Sequence, residues 1–571
     1  MIDLGQSLPA IDGIPLTTRP FHYSLIQDAH IRLIHLNVGA RNDGLSIQIQ
    51  ENVCLETAPV YEALSYTWGD SKKERNVSCG SESIAITANL ATALVQIRNP
   101  DQPRILWIDQ ICINQDDVEE RNKQVALMRR IYSQAENVVI WLGEEGPDDA
   151  MAFGFVPVLL SYLPPLSAVH GVTRQGLVAR QAIPVIGSPA WIALSSIFRR
   201  PYFRRSWIIQ EVALARHAVV HCGPHMMDWD LLAAASSYQM GQLASDAENA
   251  HDAVAAIMEF NRNDHGRGNN LVDALFISYR FNCTDPRDKV FAMLGLAQEL
   301  VLQPDYFSSV EAVYLQTTRV LILALANLDI LCCVSHPKRI ATLPSWVPDW
   351  QAQVTVKRKL GKSRVREPHA PHHQVRCSDN DRTLKVDGWC VGSIATVADV
   401  FTRNESGLDI RWNEFVEGTI YPDGRSYTEI YWRTLLAGES LPGTTCDEEL
   451  QSAYEAWRNL LNRRPGGGYK PPTNLVDENE KGTEFHRAMT ETCVGRRLFT
   501  TAQHNLGLGP SEARVGDVVC FLGSTPTPFV LRPKEACFEL VGESYVHEFV
   551  EQGHPLPQLT RKEDKRELVI R

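Results

Sequence analysis

Residues 105–143 read ILWIDQICINQDDVEERNKQVALMRRIYSQAENVVIWLG, two short apolar runs joined by one amphipathic segment, and no other stretch restricts the fold as tightly. Ile105 to Ile108 stop at Asp109, and Val138 to Leu142 stop at Gly143. Apolar runs of this length, bounded by polar or turn residues, predict strands. Between them Asp116 and Glu119 have the capping-box spacing, and Val125, Met128, Ile131, Tyr132 and Ala135 recur at helical intervals. A strand–helix–strand unit implies a parallel pair. Parallel strands bury both faces, which accounts for their nearly all-apolar content. Ligands of open α/β sheets bind just past the carboxyl ends of strands, where Asp109, Asn114 and Gln115 fall.

The flanking segments enlarge this sheet. Residues 31–36 and 45–50 alternate apolar and polar across Asn42-Asp43-Gly44, predicting an antiparallel pair. Residues 61–67 predict a sheet strand and 76–87 a hairpin turning near Gly80-Ser81. A helix over 89–98 with an Asn89 cap follows, then helices over 190–199 and 203–216 separated by Pro201, and a closing strand at 218–221. The pattern is helical from Asp230 to about Ala326, and strand-like over 383–400 and 496–550, as in a small barrel or sandwich. At 571 residues the chain exceeds a single core. The expected units are 1–228, with core motifs in 61–222, a helical 229–330, and a mixed, β-rich 331–571.

Several polar groups could carry chemistry. Trp207 and Glu211 are one helical turn apart, with Arg204 three residues before Trp207, so an indole, a carboxylate and a guanidinium would share a face. Trp68-Gly69-Asp70 ends another strand and converges on Asp109 if the two strands are neighbours. Asn114 and Gln115 suit ribose hydroxyls. Arg199, Arg200, Arg204 and Arg205 suit a diphosphate, because the guanidinium fork matches phosphate oxygens. Each has a plain structural alternative: an ion pair for Glu211, core for Trp207, turn capping for Asp70, Asp109, Asn114 and Gln115, and surface pairing for the arginines.

Three blocks carry a resemblance. Tyr61-Glu-Ala-Leu-Ser-Tyr-Thr-Trp-Gly-Asp70, the 105–143 stretch, and Arg200-Pro-Tyr-Phe-Arg-Arg-Ser-Trp-Ile-Ile-Gln-Glu211 resemble, in order, the blocks of the fungal heterokaryon incompatibility (HET) domain. Thr284-Asp-Pro-Arg-Asp-Lys-Val-Phe-Ala-Met-Leu-Gly-Leu296, Leu343-Pro-Ser-Trp-Val-Pro-Asp-Trp350, Gly495-Arg-Arg-Leu-Phe-Thr500, Gly507-Leu-Gly-Pro510, Gly516-Asp-Val-Val-Cys520 and Pro528-Phe-Val-Leu-Arg532 are similar to segments that follow the domain in longer members. The resemblance implies non-self recognition linked to cell death. The HET domain has been proposed as a distant relative of the Toll/interleukin receptor (TIR) fold, so it also implies a TIR- or flavodoxin-like parallel sheet in an α/β first domain. Trp207-x-x-x-Glu211 is similar to the TIR motif that holds an NAD-cleaving glutamate. On that implication Glu211 is catalytic, NAD is the substrate rather than a cofactor, and Trp68, Asp70, Asp109, Asn114, Gln115, Arg200, Arg204 and Trp207 bind it. Two other readings stand beside the enzyme: a non-catalytic, self-associating adaptor with an unknown signalling partner, and an ancillary regulatory protein.

The formal charge of −12 argues against a general nucleic-acid binder. The amino terminus lacks a signal peptide's basic segment and apolar core, and the longest apolar run, 320–334, is interrupted by Asn327 and Asp329, so neither export nor a membrane span is expected. Thirteen scattered cysteines without a Cys-x-x-Cys pair predict thiols in a reducing, cytoplasmic compartment. No metal is expected, since His369, His372, His373 and Cys377 fit no established zinc spacing and read as a polar loop. Neither a Gly-x-Gly-x-x-Gly fingerprint nor a phosphate loop appears.

Overall fold

Four parallel strands carry the first part of the chain, and their apolar runs explain why they sit at the centre of a wider sheet. The ten strands are β1 (Arg19–Pro20), β2 (His30–Leu36), β3 (Ser46–Cys54), β4 (Glu62–Tyr66), β5 (Arg75–Cys79), β6 (Glu82–Ile86), β7 (Arg104–Trp107), β8 (Val138–Trp141), β9 (Ala218–Cys222) and β10 (His225–Asp228). Their spatial order is β1-β6-β5-β3-β2-β7-β4-β8-β9-β10. Strands β7, β4, β8 and β9 are mutually parallel, and all four residues of β8 are buried. From β4 the chain winds outward to β7, then crosses back to β8 on the other side. The winding therefore reverses at β4, the position where the carboxyl ends of doubly wound sheets open a crevice.

This computed structural model describes residues 19–162 except 71, 184, 187–240, 254–260 except 259, 271–297, 302–352 except 326 and 327, short stretches between 356 and 377, 382–402, 411–416, 427–462 except 442, 443 and 445, 478–555 except 524, 552 and 553, and 565–571. It divides into two units, Met1–Ser308 and Ser309–Arg571. The boundaries expected near 228 and 330 do not coincide with that division. The helices Leu271–Ser278 and Asp288–Leu294 pack in the first unit, whereas Val310–Leu325 belongs to the second. Of the residues in the anticipated polar loop, His369, His372 and His373 lie outside the described set; among the described residues no cluster of metal-ligating side chains occurs.

Helices α1 (Ala88–Ile97), α2 (Asp109–Cys112), α3 (Val118–Gln134), α4 (Asp149–Ser161), α5 (Pro189–Phe198) and α6 (Trp207–Ala213) link the sheet strands. Two caps differ from expectation. Helix α3 starts one residue late, with Asp117 rather than Asp116 accepting from the amides of Glu119 and Glu120 at 2.9 and 3.1 Å. Helix α1 is capped by Thr87. Asn89 is thereby released to brace the sheet. Its Nδ2 donates to the Thr67 carbonyl at 2.6 Å and its Oδ1 accepts from Trp141 Nε1 at 3.1 Å, tying the ends of β4 and β8 together.

A buried Arg32 holds the amino-terminal strands to α3. Its guanidinium donates to Glu120 Oε1 and Oε2 at 2.5 and 3.0 Å, to Glu51 at 3.0 Å, and to the carbonyls of Cys112 and Ser24 at 3.0 and 2.7 Å. Five bonds satisfy the whole fork, which offsets the cost of removing this charge from water.

In the second unit, β11 (Val375–Cys377), β12 (Leu384–Val400), β13 (Arg496–Thr501), β14 (Leu506–Pro510), β15 (Val518–Leu522), β16 (Pro528–Pro533), β17 (Phe538–Glu543) and β18 (Tyr545–Val546) join the last strand Arg566–Ile570 in one sheet. The long β12 pairs with that last strand, with β15 and with β13 along its length. The path β12-β15-β16-β17-last strand-β12 closes on itself, with a parallel contact at Phe538 and Ile570, and forms a five-stranded barrel. Of the two forms anticipated, barrel and sandwich, the barrel is present. Gly507 faces Phe499 across β13 and β14, and a Cβ there would lie 2.3 Å from the ring, so glycine is required by the packing. Cys390 and Cys520, directly opposed in β12 and β15, are joined by a disulfide, which corrects the expectation of thiols throughout.

Candidate functional site at the carboxyl ends of the parallel strands

Strand β4 ends in Ser65-Tyr66, β7 is followed after Ile108 by Asp109, and α6 lies against β4 and α3. These three elements place two acids and one guanidinium beside each other. Glu211, 2% exposed, accepts a short hydrogen bond from the Ser65 hydroxyl, which also bonds the Tyr202 hydroxyl at 2.7 Å. Asp109 Oδ2 accepts from Trp68 Nε1 at 2.9 Å, and its Oδ1 from the Gln110 amide at 2.7 Å. Arg205 lies within electrostatic reach of both carboxylates and donates to the Tyr66 carbonyl.

Burial pushes the Glu211 carboxyl up to about 7; Arg205 and the Ser65 hydroxyl oppose this, and the charge of Asp109 adds to it. Burial likewise raises Asp109, against the pull of Arg205 and Trp68. The one cation does not fully compensate two acids in a low-dielectric setting, so a proton is held near neutrality. Next to them the Tyr66 hydroxyl is buried and has no well-aligned hydrogen-bond partner, although Asp109 lies close enough to act on it. A buried hydroxyl poorly aligned with Asp109, beside a guanidinium that makes one hydrogen bond among the described residues, is a set of donors available to a polar ligand.

The anticipated residues divide accordingly. Glu211, Asp109 and, through its indole bond, Trp68 belong to this cluster. Gln115 supports it from behind, donating to the Asp109 carbonyl at 2.8 Å. Trp207 lies instead close to Asp288, outside this cluster. Asp70 is exposed and closes a turn by accepting from the Lys72 amide at 3.2 Å. Asn114 accepts from the Asp116 amide at 3.3 Å, and its own amide donates to Glu120 at 2.7 Å, a loop-shaping role. Arg200 is spent on the loop after β8: it donates to the carbonyls of Leu142 and Glu144, each at 3.0 Å, and pairs with Asp149. Gly143, with φ +110°, leaves room for that guanidinium.

Arg204 is exposed, and its neighbour Arg205 faces the acids. The helical spacing that selected Arg204 does not hold there, because Pro201–Arg204 is a 3-10 turn and α6 begins only at Trp207. Ser65, Tyr66 and Tyr202 were also missed; their signal was the polar Ser65-Tyr66 pair at the end of an apolar strand. The open depression lined by Glu62, Arg98, Arg104 and Glu136 is at the opposite, amino ends of these strands, and its Glu62 and Arg104 already pair at 2.7 Å.

With this geometry in place, comparison with known proteins defines the class. Residues 61–211 match the family model "Heterokaryon incompatibility protein (HET)", and residues 473–570 match "Het-6 beta-barrel domain". The chain is a HET-domain protein. It is similar to heterokaryon incompatibility protein 6, OR allele, of Neurospora crassa, with 27% identity covering 90% of this chain and 93% of that protein. No solved structure matches it. The first match contains the acid–arginine cluster, and the second contains the barrel strands β15, β16, β17 and the last strand but not β12, which closes the ring. Among the described residues no helix is long and apolar enough to cross a membrane.

Proposed function

We propose that this protein acts in heterokaryon incompatibility and that its HET domain signals by cleaving NAD at the Glu211–Arg205–Asp109 cluster, in a TIR-like manner. The observation that carries this reading is a buried carboxyl, Glu211, within electrostatic reach of a second acid and a cation and near a poorly aligned tyrosine hydroxyl, where the parallel sheet reverses its winding. The parallel order β7-β4-β8-β9 is 2-1-3-4 along the chain, the order of flavodoxin-type sheets, which bind ligands at that point. Breaking the nicotinamide–ribose bond builds positive charge on the sugar, which the ionised carboxylate of Glu211 stabilises. Water then adds at the same carbon, giving ADP-ribose, nicotinamide and one proton. Arg205 and the Tyr66 hydroxyl supply donors for the polar parts of the substrate, and the Trp68 ring supplies a stacking face.

The test is NAD turnover by the full chain at concentrations that permit assembly, alongside Glu211→Gln and Glu211→Ala proteins with unchanged circular dichroism. A fall of about a hundredfold or more in both variants supports the enzyme. A second reading has its own observation: Glu211 is 2% exposed and already engaged by Ser65, as in a structural network. On that reading the domain is a self-associating adaptor. A wild-type chain that assembles in light scattering yet leaves NAD intact selects it.

A further inference from the structure

The segment Thr284-Asp-Pro-Arg-Asp-Lys289 lies beyond the matched region 61–211, yet it bears on the same site. The chain before it lies along the entry to α6. The Asn282 amide donates to the Arg204 carbonyl at 2.5 Å, and its carbonyl accepts from the Ser206 amide at 3.0 Å, forming a parallel bridge at Arg205. Asp288, at the start of the next helix, which packs against α6, lies close to the Trp207 indole and accepts a hydrogen bond at 2.5 Å from the Tyr306 hydroxyl. Tyr306 is itself held firmly. Its ring lies between the guanidinium groups of Arg121 and Arg287, at 4.0 and 5.2 Å from its centre, and its amide donates to Asn122 Oδ1 at 2.8 Å. Arg287 in turn is locked by Asp285 and by the carbonyls of Tyr306 and Ser308.

We propose that Asp288 is a positioning residue, which by anchoring Trp207 to Tyr306 sets the first turn of α6 and so the placement of Arg205 and Glu211 at the carboxyl edge of the sheet. Trp207 is the first residue of α6, Arg205 precedes it by two residues, and Glu211 follows by one turn, so a shift at the indole is transmitted to both through a short rigid helix. Removing the side chain at 288 loses the acceptor that joins the start of α6 to Tyr306, and it leaves Arg121 facing Tyr306 without that acid. The functional unit of the HET domain accordingly extends past its matched boundary to residue 306.

Catalytic relevance of this placement rests on the function proposed above, but the placement itself is testable without turnover. In the full chain, the pH midpoint of Glu211 is read by infrared difference spectroscopy as the protonated-carboxyl band that Glu211→Gln abolishes. Burial is the largest cause of its raised midpoint; Arg205 and Ser65 oppose it, and Asp109 adds to it. Asp288→Ala is expected to loosen α6, admit water, and lower that midpoint by about one unit or more. Asp288→Asn, which keeps an acceptor, is expected to move it by less than half as much. An unchanged midpoint in a folded Asp288→Ala protein overturns the proposal, whereas the absence of NAD turnover in the wild type overturns only the enzyme reading. If Asp288→Ala does not fold, Tyr306→Phe removes one of the same bonds and must shift the midpoint in the same direction.

Discussion

Two buried arginine–glutamate neighbourhoods of the first unit have opposite character. Around Arg32 every donor is matched: Glu120, Glu51 and two carbonyls take all five hydrogen bonds. Around Arg205 the matching among the described residues is incomplete, with a single guanidinium hydrogen bond to the Tyr66 carbonyl, two acids raised by burial, and a hydroxyl without a well-aligned partner. A charge that is buried and fully paired has finished its work in folding. One that is half-buried among poorly matched groups retains capacity for a ligand or a proton, and that separates scaffold from candidate site.

The contrast can be broken most forcefully at Arg32. Glu120→Ala leaves a guanidinium at 0% exposure without its principal partner. The unfolding free energy should fall by about 3–5 kcal/mol. Urea denaturation measures this, and a loss under about 1 kcal/mol would erase the distinction between the two sites.

The pH dependence should differ in sign. The Glu211 carboxyl is raised from 4.5 to about 7, so its contribution to stability is complete below about 4.5 and is lost as pH rises through about 7, by up to about 3 kcal/mol. Glu51 runs the other way. Burial opposes ionisation there, but hydrogen bonds from Ser24 and Arg32 outweigh it and hold the carboxyl below its ordinary value. Its contribution is present above that ordinary value and disappears in acid. Glu211→Gln should therefore flatten the wild-type loss of stability between pH 5 and pH 8, and thermal melts across that range would reveal a persisting slope.

Smaller effects sharpen the comparison. Tyr66→Phe removes a hydroxyl that has no well-aligned partner and should leave stability unchanged or raise it by up to about 1 kcal/mol, while weakening any ligand the site holds. A loss of more than about 1 kcal/mol in calorimetry would show that the hydroxyl is already spent. Asp70→Ala, in an exposed turn outside the cluster, should change stability by no more than about 0.5 kcal/mol and leave unchanged any NAD turnover that the wild type shows.

Much of this scaffold was visible in the sequence. The strand ends at Asp109 and Gly143, the hairpin at 76–87, the antiparallel extension and the long strand over 384–400 follow from alternation, apolar runs and turn residues, which act over a few neighbours. The site was read less well. Helical spacing put Arg204 and Trp207 beside Glu211, but a 3-10 turn changes the phase before α6, so Arg205 faces the acids, and the Trp207 indole lies close to Asp288 on a helix that packs against α6. Asn89 looked like a cap and is a brace between two strands. Cap position was the easier error, because Thr87, Asp116 and Asp117 all have suitable side chains and only the local backbone selects among them.

The sequence by itself determined the parallel centre, the polar residues at its carboxyl ends and the HET-type blocks, because hydrophobic period and strand termination are properties of contiguous residues. Tertiary structure alone decided which arginine would be spent on a loop, as Arg200 is, and which would stay among unmatched acids, as Arg205 does. It also decided that Cys390 would meet Cys520 and that Asp288 would reach back to Trp207. Hydrogen bonding and desolvation depend on which groups approach within a few ångströms, and residues distant in the chain acquire that proximity only when the sheet, its covering helices and the returning segment have packed.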